Sequence, residues 1–126
     1  MLDLKWGDWE TMYIYVELWK AKQKWLDMEH SDRKNYLSRV QESIGNLVSL
    51  GIEPLHFALL DKDVPHSVDY RYLAVWKMPD RRAAETLERD VEAAGFHDLF
   101  EQVNARGEET TPEGLFEDMA ALKTTG

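Results

Sequence analysis

The sequence predicts one α+β domain whose elements run β-α-β-β-α-β, followed by an extra C-terminal helix. Three observations carry that expectation. Residues 12–19 and 69–77 alternate with the two-residue period of strands, and two longer stretches repeat at helical spacing, each closed by a glycine. The length, 126 residues, suits one hydrophobic core rather than two.

Taken in order, residues 12–19 place Ile14, Val16 and Leu18 on one strand face and Tyr13, Tyr15, Glu17 and Trp19 on the other. Residues 1–11, upstream of this strand, are expected to form an N-terminal extension, and 12–126 the domain. A polar link with Trp25 and Leu26 follows. Ser31 is the expected cap of a long helix in which Tyr36, Leu37, Val40, Ile44, Leu47 and Val48 recur at helical spacing up to Gly51. Pro54 opens a second strand over residues 55–61, with Leu55, Phe57 and Leu59 opposite His56, Ala58 and Leu60. The third strand, 69–77, sets Tyr70, Tyr72, Ala74 and Trp76 against Arg71, Leu73 and Val75.

Pro79-Asp80 then starts a second helix with an apolar stripe of Ala84, Leu87, Val91 and Ala94, and Gly95 ends it. A fourth strand over about 99–105 puts Phe100, Gln102 and Asn104 on one face and Leu99, Glu101 and Val103 on the other, although the same segment also fits a continuation of the helix. Thr111-Pro112 begins a terminal helix with Leu115, Phe116, Met119 and Leu122, which folds back over the domain or onto a neighbour.

This order is the split β-α-β, or ferredoxin-like, arrangement, in which both crossover helices pack on one face of a four-stranded antiparallel sheet. The aliphatic strand faces are expected to take the helices. The opposite face, with Tyr13, Tyr15, Trp19, His56, Leu60, Tyr72, Trp76 and Phe100, is then left without cover. An apolar patch of that size marks an interaction surface, so a homodimer closing sheet on sheet around an aromatic-lined pocket is expected. The alternative is a monomer in which the terminal helix covers that face.

Composition narrows the function. With five Trp, five Tyr and four Phe the chain is rich in large rings that suit a cavity or a partner as well as a core. The absence of cysteine excludes disulfides, thiolate nucleophiles and cysteine-rich metal sites. A net charge of −9 repels phosphate backbones and anionic lipid, which argues against nucleic acid and membrane partners. No apolar run approaches the roughly 20 residues that cross a bilayer, and the first residues lack a signal-peptide pattern, so a cytoplasmic location is expected. Glycine-rich phosphate loops, nucleophile elbows and a helical His-Glu-x-x-His pattern are all missing, and no cofactor or metal is expected. Asp61, Asp63, His66 and Asp69 have none of the fixed spacings of calcium or zinc sites and read as a solvated turn.

Three segments carry a resemblance: Tyr15-Val16-Glu17-Leu18-Trp19, Asp69-Tyr70-Arg71-Tyr72 with Ala74-Val75-Trp76, and Phe100-Glu101-Gln102-Val103-Asn104-Ala105-Arg106-Gly107. They resemble an uncharacterised family of small bacterial proteins in the dimeric α+β barrel superfamily, over residues 12–122. That superfamily includes cofactor-free antibiotic-biosynthesis monooxygenases, muconolactone isomerase-like enzymes, the EthD-like group and haem enzymes resembling chlorite dismutase. The resemblance implies a dimeric barrel with a small-molecule pocket, but no particular reaction.

Glu17, between Tyr15 and Trp19, is the first candidate for a catalytic group, because partial desolvation would raise its pKa into the range of a general base. The competing reading pairs it with Arg71 as a structural ion pair. His56 is a candidate acid, base or donor, or else a satisfied core or interface histidine. Tyr72, with Tyr15, can donate to a developing enolate or phenolate. Tyr13, Tyr15, Trp19, Trp76, His97 and Phe100 are candidate contacts to a planar, aromatic ligand, with core packing as the alternative for the rings. Gln102 and Asn104 put two amides on one face, to orient a carbonyl or to ladder an edge strand. The resulting expectation is a cofactor-independent enzyme that abstracts a proton from an aromatic or planar molecule and leads to oxygenation, isomerisation or bond cleavage. The alternatives are a binding or sensing module using the same pocket, and a purely structural dimer.

Overall fold

The structure, a computed structural model, describes residues 12–123; the expected extension at 1–11 lies outside them. The elements are β1 (Tyr13–Ala21), α1 (Gln23–Leu26), α2 (His30–Ser49), β2 (Glu53–Leu59), β3 (Tyr72–Met78), α3 (Arg81–Ala93), α4 (Phe96–Leu99), β4 (Phe100–Glu108) and α5 (Pro112–Ala121). The four strands form one open antiparallel sheet in the order β2-β3-β1-β4, with β1 paired along its length to β3 and β4. No helix among the described residues is long and apolar enough to cross a membrane.

Local chemistry explains most boundaries. Gly51 and Gly95 end their helices with φ of +96° and +73°, a region that costs glycine nothing. The Asp80 carboxylate accepts from Ala83 N at 2.8 Å and caps α3, and Thr111 Oγ1 accepts from Gly114 N at 3.1 Å in front of α5. Ser31 is not the cap of α2: the helix starts at His30 after Glu29, which makes no side-chain cap. What fixes this end instead is Arg33, whose guanidinium donates to the carbonyls of Trp25 and Leu26 at 3.1 and 2.8 Å and ties α2 to the turn before it. The third strand begins later than expected because Asp69 is held at the surface by Lys20 and Lys62, at 2.8 and 3.2 Å. The fourth strand is real, and one turn of helix, α4, precedes it.

The faces of the sheet are the reverse of the expectation. Tyr15 stands opposite Trp76, Glu17 opposite Ala74 and Trp19 opposite Tyr72, and this ring-rich face is the one that α2 and α3 cover. Tyr15, Ala74, Trp76 and Met78 share one core with Leu47 and Ile52 from the α2 end and with Ala84 and Leu87 from α3. The physical reason is complementarity of size: α3 offers alanines, so large sheet side chains fill the layer between. A second cluster, Trp25, Tyr36, Leu99 and Phe100, closes one end, where Tyr36 donates its hydroxyl to the carbonyl of Ala94 at 3.0 Å.

The open face is therefore aliphatic. Ile14, Val16, Leu18, Leu73 and Val75 are half-buried there, and Val103 is exposed. The terminal helix buries none of its residues, so it does not take the covering role that the monomer alternative required; Leu115, Phe116 and Met119 remain exposed.

Candidate functional site

Side-chain size across the sheet creates a hollow. The register lines up Asn104, Glu17, Ala74 and Phe57 in one row, between a row containing Tyr15 and Trp76 and another containing Trp19 and Tyr72. Ala74 has only a methyl group to fill its share of the layer, while the tryptophans on either side hold the helices away. The result is a cavity of about 170 Å³ between the sheet and the helices. Its sheet wall is Glu17, Trp19, Phe57, Ala74 and Trp76. Helix α2 supplies Val40, Ile44 and Leu47, helix α3 supplies Leu87 and Val91 with Ala94 at its C-cap, and Phe96 closes one end. Ser43 and Asp90 add polar groups. An apolar groove along Leu37, Val40, Ile44, Pro54 and Phe57 runs outward from the side between α2 and the edge strand β2.

Glu17 is the chemical centre of this hollow. It is 7% exposed, accepts from Trp76 Nε1 at 2.8 Å through Oε1, and accepts from Gln102 Nε2 at 3.0 Å through Oε2. The same Gln102 amide nitrogen donates to Asn104 Oδ1 at 2.6 Å, and its Oε1 is buried without a hydrogen-bond partner among the described residues. No cation among the described residues lies in salt-bridge range of Glu17. Burial pushes its pKa above the ordinary glutamate value; the Trp76 and Gln102 hydrogen bonds and the field of His97 oppose that shift without cancelling it. The expected ion pair with Arg71 does not form, since Arg71 is exposed and its guanidinium sits over the Tyr72 ring at 5.8 Å.

The other candidates divide. Trp19 and Trp76 line the cavity, and Gln102 and Asn104 make up the hydrogen-bond chain that orients Glu17. Tyr72 backs Trp19 with ring centroids 5.6 Å apart and does not reach the cavity wall. Tyr13 packs on the core edge. Tyr15 is buried outside the hollow, where its hydroxyl donates to Glu88 Oε2 at 3.0 Å; burial, with the Glu88 bond, raises its pKa. Arg106 donates to the same Glu88 oxygen at 2.7 Å. Phe100 belongs to the second core cluster, 4.7 Å from Trp25 and 4.5 Å from Phe96 between centroids, rather than to the ligand wall.

His56 is a correction. It pairs with Val75, which puts it on the open aliphatic face, exposed and on the far side of the sheet from Glu17. The irregularity between Pro54 and His56 sets the phase of β2, and it is Phe57 that stands beside Ala74. His97 lies in α4 with Nδ1 2.8 Å from Glu92 Oε1 and does not line the cavity.

Sequence reasoning missed Phe57, Ser43, Asp90 and the gap at Ala74. The signal existed: Val40, Ser43, Ile44 and Leu47 in α2, and Leu87, Asp90 and Val91 in α3 with Ala94 at its C-cap, each put a polar residue at the same place within an apolar i, i+3, i+4, i+7 stripe.

No curated protein and no solved structure matches the chain. Residues 12–122, a span that contains every residue of the cavity and of the Glu17 hydrogen-bond chain, match a family profile, and the chain belongs to that family of unknown function, DUF6616.

Proposed function

We propose that this chain is a cofactor-independent enzyme that takes a compact, single-ring or similarly sized molecule into the hollow above Ala74 and moves a proton with Glu17. The observation that carries the reading is a 7% exposed carboxylate on the wall of a mostly apolar cavity, held among the described residues by the neutral donors Trp76 and Gln102. Burial brings such a group toward the protonation equilibrium at which it both takes and returns a proton. Trp76 and Gln102 fix its plane, which leaves the remaining lone pairs for the ligand. In the proposed step the proton of a C–H or O–H acid passes to Glu17, and the electron pair stays on the ligand. Return of the proton at another carbon completes an isomerisation; bond cleavage or attack on dioxygen are the other exits. Size supports one ring, because a cavity of about 150 Å³ holds benzene.

The strand order and the two long crossover helices on one face support a ferredoxin-like fold of the dimeric α+β barrel type. The aliphatic open face and the bare apolar side of α5 support a homodimer through that face, and the cysteine-free composition suits a cytoplasmic setting. In sedimentation, the parent chain is expected at twice its monomer mass and Val75→Asp or Leu18→Lys at the monomer mass with unchanged circular dichroism. A parent chain that sediments as a monomer would end the dimer reading.

A non-catalytic binding module is the second reading, favoured by the placement of His56 on the far face, which leaves the cavity without that second proton-carrying group. A thermal-shift screen of single-ring compounds, with mass spectrometry of the hits, tests both. The enzyme reading expects product, and a Glu17→Gln variant that still binds the hit but turns it over about 10²–10⁴-fold more slowly. Stabilisation without product supports the module; equal turnover by Glu17→Gln removes the role given to Glu17.

A further inference from the structure

Among the described residues the two ionisable groups on the cavity wall are Glu17 and Asp90, and no Lys, Arg or His lines it. Four aromatic rings, Trp19, Phe57, Trp76 and Phe96, share that wall. We propose that the cavity is built for a compact organic cation, an ammonium carried on a single ring or a short alkyl body, with Glu17 as its counter-ion and Asp90 attracting it at the mouth. This deepens the functional reading above and rests on the hollow being a small-molecule site, whether the ligand is turned over there or only held.

A buried carboxylate served by neutral donors keeps an uncompensated charge, which proteins ordinarily pair with a cation. Here the described residues supply no such cation, and a ligand that brings one completes the pair. Hydrogen-bond counting points the same way. Around Glu17 the acceptors are its own two oxygens, Asn104 Oδ1 and Gln102 Oε1, which has no partner among the described residues, and the side-chain donors are Trp76 Nε1 and the amide nitrogens of Gln102 and Asn104. Of these acceptors it is Glu17 that lines the cavity, and a primary ammonium brings three donors to its remaining lone pairs. Indole and phenyl faces attract a cation through their quadrupoles and tolerate its apolar body equally well, in contact with Leu47, Leu87 and Val91. His97, the histidine whose field reaches Glu17, is held by Glu92 and stays off the wall. Asp90 is exposed while lining the cavity, so it stands at the entrance, where it favours cations and repels carboxylates and phosphates.

Benzylamine, benzyl alcohol and benzoate have nearly the same size and differ in charge, so titrating each into the full chain at neutral pH isolates the charge preference. Trp19 and Trp76 report occupancy by fluorescence, and calorimetry gives the affinity. Benzylamine is expected to bind at least about tenfold tighter than benzyl alcohol, and benzoate not measurably. In Glu17→Gln, whose folding is checked by circular dichroism, the amine should lose its advantage over benzyl alcohol; Asp90→Asn should lose part of it. If benzyl alcohol or benzoate binds the parent chain as tightly as benzylamine, the cation proposal falls and the small-molecule site stands. Retention of the amine preference in Glu17→Gln overturns the role of Glu17 as counter-ion. If none of the three binds, the reading of the hollow as a ligand site falls with it.

Discussion

Replacing Trp76 by alanine is expected to remove about 3–5 kcal/mol of folding free energy, a large part of the 5–15 kcal/mol that small domains possess. The side chain is 3% exposed, pairs across the sheet with Tyr15, meets the Phe57 ring edge-on at 5.7 Å and props the helices above Ala74. Its loss empties the row beside the existing hollow, and the rigid sheet cannot collapse to refill it. Trp76→Phe separates the two contributions. Phenylalanine keeps most of the packing but removes the Nε1–H that donates to Glu17, a bond to a charged acceptor worth about 1.5–3 kcal/mol when the acceptor is left unpaired. The same substitution made on a Glu17→Gln background should cost clearly less. Denaturant unfolding of the four chains measures the coupling. Equal costs on the two backgrounds would mean that the charge of the carboxylate adds nothing to the indole bond, and that Trp76 does not hold Glu17 as an anion.

The elements of this fold were largely legible in the sequence because their signals are local. Alternation marked β1 and β3, glycines at positive φ marked the ends of α2 and α3, and Asp80 and Thr111 announced their helices. Which face the helices cover was not legible. Alternation has a period but no sign, and here both faces of β1 are apolar, one by rings and one by branched aliphatics. The deciding information sat on the other layer, in the alanines of α3 that make room for rings. The misplacement of His56 has a similar origin: each strand was read in its own phase, whereas the phase between β2 and β3 depends on an irregularity at Pro54 that pairing alone reveals. Glu17 and Trp19 on β1, Trp76 on β3 and Gln102 on β4 were found because they alternate on three neighbouring strands; Ser43 and Asp90 were passed over as ordinary polar residues of amphipathic helices.

Glu17→Gln is expected to melt above the parent chain at about pH 8 and together with it at about pH 4. The sign follows from the direction of the shift. Burial raises the pKa of Glu17 in the folded chain above its ordinary 4.5, so below that value both folded and unfolded chains carry the proton and the carboxyl costs no more than an amide. As pH rises through 4.5 the unfolded chain ionises first, and the parent chain loses stability until Glu17 also ionises in the fold; beyond that point the deficit is constant. Asp90, Glu88, Tyr15 and His97, the ionisable groups that face this region from α3, β1 and α4, are present in both chains and largely cancel in the difference. The amide also suits its neighbours. A half-turn of the Gln102 side chain presents Oε1, now without a partner, to the new N–H at position 17, while Trp76 continues to donate to the remaining oxygen. Protonated Glu17 can make the same exchange, so the Gln102 amide is free to follow the charge of the carboxylate. A melting-temperature difference that stays flat with pH, or that favours the parent chain at high pH, would mean that the two hydrogen bonds outweigh burial and that Glu17 remains an ordinary carboxylate, unsuited to returning a proton.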